Sequence, residues 1–215
     1  MDALPFRAEG AAPEAEGVYP LRLLTEQGEL SGRLHACPGD TAILWVFGSG
    51  GGLGGPAGGL YDRLAEVLRP GGIASLELDY RRPGRLGPCV ADVLTGIEHL
   101  AALGKTRVVL VGHSFGGAVV ITAGAASEQV IAVAALSSQT AGTEAVGALS
   151  PRPVLFAHGE ADEVLPPRCS LDLHRRAREP KQLTLYPGCR HGLDQCRDAL
   201  DRDLTAWLRR VTGRG

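Results

Sequence analysis

The hydrophobic pattern changes partway along the chain. Over 19–25 and 30–36, apolar and polar residues alternate on either side of Glu26-Gln27-Gly28. That period of two, interrupted by a glycine-containing turn, predicts an antiparallel hairpin. From Thr41 onward the texture is different. Short apolar runs at 42–47, 73–78, 107–111, 130–136, 153–157 and 182–186 read as strands. Between and after them, helical periodicity is expected at 61–68, 90–103, 117–126, 167–178 and 196–211. The last of these places Leu200, Leu204, Trp207, Leu208 and Val211 on one face. Several strands are apolar on both faces, as expected where helices cover a sheet from both sides. Strands alternating with helices predict an α/β fold with a mostly parallel, doubly wound sheet, here preceded by the antiparallel hairpin. Residues 1–17 show no period and are expected to form a flexible N-terminal arm, with 18–215 as a single domain.

Composition narrows the class. A chain of 215 residues has room for one such domain and little more. A formal net charge of −2 carries no electrostatic footprint for nucleic acid, although the chain is locally basic from Arg168 onward. No apolar run is long enough to span a membrane and the N-terminus is not a signal peptide, so a cytoplasmic protein is expected. The five cysteines form no CxxC pair and no zinc-like spacing with histidine. Reduced thiols and no metal are the expectation. Thirty glycines are about twice ordinary usage and have to be placed.

Much of the chemistry is concentrated at 107–120, RVVLVGHSFGGAVV. A buried strand runs directly into Gly112-His113-Ser114-Phe115-Gly116 and then into a helix, the context in which G-x-S-x-G forms a nucleophile elbow. The tight turn lifts the central serine above the sheet edge, and the following helix aims its N-terminal amides at developing negative charge. A serine hydroxyl needs a base. Two later strands each end in a loop holding a suitable group: Asp162, with Glu160 and Glu163 as rivals, and His191. The order Ser114, Asp162, His191 fits an acid and then a histidine following the nucleophile, with all three at one sheet edge.

An oxyanion hole requires two converging N–H groups. Phe115 is expected to supply one. The second is assigned to Ser49, with Gly50 as the alternative, in the loop after the 42–47 strand. That loop, 48–59, holds eight glycines. Its Gly50-x-Gly52-x-x-Gly55, with Asp79 farther on, also matches a dinucleotide-binding fingerprint, so a Rossmann-type oxidoreductase is a rival reading. That reading leaves the elbow, Asp162 and His191 without a role. A Walker A site fails because no Gly-Lys-Ser/Thr follows.

Taken together, the glycine-rich loop, GHSFGG, HGEADEVLPP and GCRHGL resemble the α/β-hydrolase family over about residues 18–211. The likeness is to its compact dienelactone-hydrolase-like and small carboxylesterase members. The resemblance implies Ser114 as nucleophile, His191 as general base and acid, and Asp162 as its orienting partner. There are two departures. Phe47-Gly48 stands where the family often has His-Gly. Dienelactone hydrolases proper use a cysteine nucleophile, so their lactone substrate is not carried over. Only about sixteen residues separate Leu136 from Pro153, too few for a cap domain. Gly50, His113, Ser138 and Gln139 are candidate pocket residues. A small or medium acyl ester or thioester is the expected substrate, without a cofactor. A hydrolase-fold binding protein with an idle triad is the alternative, and the sequence leaves the oligomeric state open.

Overall fold

In the computed structural model, which describes residues 2–213, chain order and sheet order diverge after the hairpin. The N-terminal strands β1 (Phe6–Glu9), β2 (Val18–Thr25) and β3 (Gly28–His35) lie side by side and antiparallel, and β3 pairs antiparallel with β5 (Ile73–Asp79). The remainder is parallel: β4 (Thr41–Val46), β6 (Arg107–His113), β7 (Val130–Leu136), β8 (Val154–Gly159) and β9 (Lys181–Tyr186). The nine strands run β1-β2-β3-β5-β4-β6-β7-β8-β9 across one sheet. Because these strands are parallel, the loops after β4, β6, β8 and β9 lie at one edge, and the order of addition switches sides at β4, where ligands bind in open α/β sheets.

Helices α1 (Pro56–Leu68) and α5 (Arg197–Thr212) cover one face. They bury Leu60, Tyr61, Leu64, Leu200, Leu204 and Trp207 against Ile43, Trp45, Val109 and Val111. On the other face, α2 (Leu86–Ala102), α3 (Phe115–Ala126) and α4 (Arg168–Arg176) pack Val93, Ile97, Val119, Val120 and Leu173 against Leu44, Val46, Leu76, Leu110 and Phe156. Every residue of β4 is buried, which is why its pattern is a continuous apolar run rather than an alternation.

One local expectation needs correcting, and one element starts irregularly. The segment read as a loose arm supplies β1, which pairs with β2 from Phe6↔Thr25 to Glu9↔Arg22, and Leu4 N–H donates to Thr95 Oγ1. Backbone pairing to a waiting edge orders these four residues, so their side chains carry no period. In α1, Ala57, Gly58 and Gly59 have left-handed backbone, and the regular helix starts only beyond them. Between β7 and β8 there is a short 3-10 helix (Glu144–Leu149) and no cap domain.

Candidate active site

The turn from β6 into α3 is as tight as the sequence suggests. Ser114 has φ 58° and ψ −121°, a conformation L-residues avoid, and Leu136 O accepts its N–H at 2.8 Å. The flanking glycines have separate steric reasons. A side chain at Gly112 would overlap the carbonyl of Gly116, and one at Gly116 would overlap the carbonyl of Phe47. Both obstacles are backbone and cannot swing aside.

Ser114, His191 and Asp162 are joined in a hydrogen-bonded relay. His191 Nε2 is 3.0 Å from Ser114 Oγ, and His191 Nδ1 is 2.7 Å from Asp162 Oδ2. Asp162 Oδ1 accepts the N–H groups of Val164 and Leu165, both at 2.8 Å. Burial opposes ionisation of Asp162, but hydrogen bonds from His191, Leu165 and Val164 outweigh it and hold the carboxyl below its usual range. An ionised carboxylate only accepts, so the His191 proton sits on Nδ1 and Nε2 is left to accept from the serine hydroxyl. The rival acids are elsewhere: Glu163 Oε2 accepts the His191 backbone N–H at 3.4 Å, and Glu160 is exposed.

Two buried histidines frame this relay. His113 Nε2 donates to the His191 carbonyl at 2.9 Å. Burial pushes the His113 pKa down to about 4, which keeps the ring neutral. His158 bridges Ser170 Oγ (2.7 Å) and the Leu165 carbonyl (2.9 Å), with Nε2 3.1 Å from Asp162 Oδ2. It braces the acid loop, and burial lowers its pKa as well.

The glycine-rich loop forms the opposite wall. An open cleft of about 240 Å³ is lined by Phe47, Gly48, Ser49, Gly50, Gly51, His113, Ser114 and His191. Gly50 and His113 line this cleft. Ser138 and Gln139 do not. Ser138 is buried against Gly117 and donates to the Gln139 carbonyl, and the Gln139 amide folds back onto the Ala141 carbonyl. The small first turn of α3 draws Ser138 inward, away from the cleft.

Two carboxylates on β5 hold the loop, and the sequence reading missed this role for both. Asp79 Oδ1 accepts Gly52 N–H at 2.6 Å, and Glu77 Oε2 accepts Gly54 N–H at 2.6 Å. The acidic residue that invited a ribose reading is thus an anchor for the loop itself. The glycine density and an acid on the next strand were the available signal.

Among the described residues, His35, Asp62 and Glu77 form the one group whose ligand atoms lie close enough together to suit a metal. Positive charge is already supplied there. Arg33 Nη1 donates to Asp62 Oδ1 at 2.7 Å. Burial works against protonating His35, but Glu77, Glu66 and Asp62 outweigh it and raise its pKa. The cluster reads as an ion-pair network tying β3, α1 and β5 together.

The cysteines also depart from expectation. Cys189 and Cys196 form a disulfide, while Cys89 and Cys169 lie outside it. The two lie seven positions apart in the chain, and no sequence signature marks the pair; the turn that carries His191 brings them together.

A sheet of this order, an elbow serine and a relay from loops after later strands define an α/β-hydrolase fold. Solved structures agree. The esterase domain of a Rhodothermus marinus protein superposes with TM-score 0.72 at 19 % identity, over 90 % of this chain and 98 % of its own. A dienelactone hydrolase from Anabaena variabilis gives TM-score 0.74 at 19 % identity, over 95 % and 98 %. Est1E from Butyrivibrio proteoclasticus gives 0.70 at 19 % identity, over 90 % and 99 %. The dienelactone hydrolase family profile matches residues 76–209, more than half of the chain, and the chain belongs to that family of hydrolases. A curated relative, the uncharacterized protein YfhR of Escherichia coli K12, is 30 % identical over a stretch covering 44 % of this chain and 42 % of the relative. The matched stretch is thus less than half the length of that relative. Among the described residues, no helix is long and apolar enough to cross a membrane.

Proposed function

We propose that the chain is a serine hydrolase of carboxylesterase type, acting on esters or thioesters with small to medium acyl groups. The observation that carries this reading is the Ser114–His191–Asp162 relay, with both links at hydrogen-bond distance on a strained elbow. His191 takes the proton of Ser114 as the hydroxyl attacks the acyl carbon. Asp162 keeps the imidazole in the tautomer that leaves Nε2 unprotonated and stabilises the imidazolium formed. The oxyanion falls to Phe115 N–H, which as the first residue of α3 has no partner within its helix, and to Ser49 N–H across the cleft. The imidazolium then protonates the leaving alcohol or thiol. Water, deprotonated by the same ring, attacks the acyl-enzyme and releases the acid. The small, open cleft and the short 137–153 connection favour compact acyl groups.

Turnover of p-nitrophenyl esters of increasing chain length tests the reading. The wild-type chain is expected to cleave the acetate and butyrate better than long-chain esters. Ser114→Ala should lose at least about 10³-fold in kcat while keeping its fold. Undiminished turnover by the variant would overturn the assignment of Ser114.

A further inference from the structure

We propose that the Cys189–Cys196 bridge is a reversible redox modification site that positions His191. The inference rests on the reading of His191 as the general base. The bridge closes a ring of which His191 is part. At one end, Cys189 is fully buried, and its carbonyl accepts Ala161 N–H at 2.9 Å, next to Asp162. At the other end, Cys196 immediately precedes α5, whose Leu200, Leu204 and Trp207 are locked in the core. The disulfide therefore couples the acid loop covalently to a rigid helix, with the histidine between them.

Inside the ring the backbone is not at rest in its own preferences. Leu193 has φ 60°, a left-handed conformation unfavourable for a leucine. Leu193 N–H donates to the Arg190 carbonyl at 3.0 Å, and Gln195 Oε1 accepts Arg190 N–H at 3.0 Å, so the turn is compact. Opening the bridge leaves His191 held by its two side-chain bonds, the His113 contact and a long 3.4 Å bond to Glu163. The buried Leu193 side chain and the Ala57 N–H, which donates to the Gly192 carbonyl at 2.7 Å, still tether the far side of the turn, so what relaxes is the short segment between Cys189 and Gly192 that carries His191. The core face of α5 stays docked, so the fold survives while the imidazole loses its fixed position.

The exchange needs a dithiol. Cys196 is half-buried and Cys189 is not exposed, so an incoming thiolate reaches the Cys196 sulfur. A bond forms from that thiolate to Cys196, the S–S bond breaks, and its electron pair leaves on Cys189, which takes a proton. The second thiolate of the reagent displaces Cys196 from the mixed disulfide. Two protein thiols and one oxidised dithiol result.

The test compares the full chain before and after dithiothreitol, with thiols at 189 and 196 counted by alkylation and mass spectrometry. Reduction is expected to lower kcat for p-nitrophenyl acetate about 10- to 100-fold with little change in KM, as a displaced base would. It should also broaden the downfield proton resonance of the His191 Nδ1–Asp162 bond, assigned by its loss in His191→Gln. Far-UV circular dichroism should not change. Oxidised glutathione should restore both rate and resonance. The Cys189→Ser/Cys196→Ser double variant should be as slow as the reduced protein and insensitive to dithiothreitol. Should it not fold, Cys196→Ala alone makes the same comparison. A reduced protein with both thiols trapped, an undiminished kcat and a sharp resonance would overturn the proposal. So would a pair of thiols that oxidised glutathione never joins. If the oxidised chain cleaves no ester and Ser114 does not react with a fluorophosphonate, the hydrolase reading fails, and the resonance alone still decides the clamp.

Discussion

Two glycine-rich stretches face each other across Ser114, and they use the residue differently. In the elbow, Gly112 and Gly116 are required because neighbouring backbone leaves no room for a Cβ. In the 48–59 loop, several glycines have open space around them; Gly52 has no heavy atom near its missing Cβ but a φ of +94°. The elbow is thus fixed by close packing, a property of its own few residues. The loop is fixed from outside, by Asp79 and Glu77 reaching up from β5 to its amides. A site wall built of glycine amides needs such external anchors, because between Gly50 and Gly55 the one side chain is that of Leu53, which is exposed.

Crowding at Gly116 carries the greatest loss. Gly116→Ala should cost at least about 3 kcal/mol in urea unfolding, since the obstacle is the Phe47 carbonyl and cannot yield. Any folded fraction should have lost most of its esterase rate, because β4 and the elbow must separate. Next, Asp79→Asn leaves shape almost unchanged but weakens a charge-assisted bond to Gly52. It is expected to lower kcat about tenfold with the Ser114 labelling rate reduced in parallel, while stability changes by about 1 kcal/mol. An unchanged rate would mean that the loop holds itself.

Another effect concerns pH. Buried His113 resists protonation until about pH 4, whereas an unfolded histidine takes up its proton near 6.5. In that window the unfolded state binds more protons, so acid favours unfolding. The His113 contribution should be full above about pH 6.5 and fall progressively toward pH 4, with His158 and His99, also lowered by burial, acting in the same direction and the raised His35 opposing them. Urea midpoints at pH 7 and pH 5 check this, and a flat profile would contradict the neutral His113 that holds the His191 carbonyl. The smallest effect belongs to Gly50→Ala, with no neighbour within 4 Å and no positive φ; its stability should stay within about 0.5 kcal/mol of the parent.

The same contrast explains what was legible in the sequence. The elbow and the parallel strands were readable because local sequence dictates them: VVLV followed by GHSFGG is a strand, a turn and the start of a helix in ten residues. That Asp162 and His191 meet Ser114 follows the chain order, since each sits in a loop after a later strand. The anchors on β5 were not, since Asp79 and Gly52 are 27 residues apart and meet only through strand order. β1 was missed because a sheet edge, not a side-chain pattern, orders Phe6–Glu9. The disulfide was missed because the turn that joins its halves is left-handed at a leucine, a conformation that no propensity favours. Ser138 was placed in the pocket by its position after β7, and the small first turn of α3 then drew it inward.

The central claim is that Ser114 is an activated nucleophile. Incubation with a fluorophosphonate followed by peptide mass spectrometry tests it most directly. A single covalent adduct on Ser114 is expected, abolished in His191→Ala and formed far more slowly in Asp162→Asn. An unmodified Ser114, under conditions that label a control serine hydrolase completely, would contradict it.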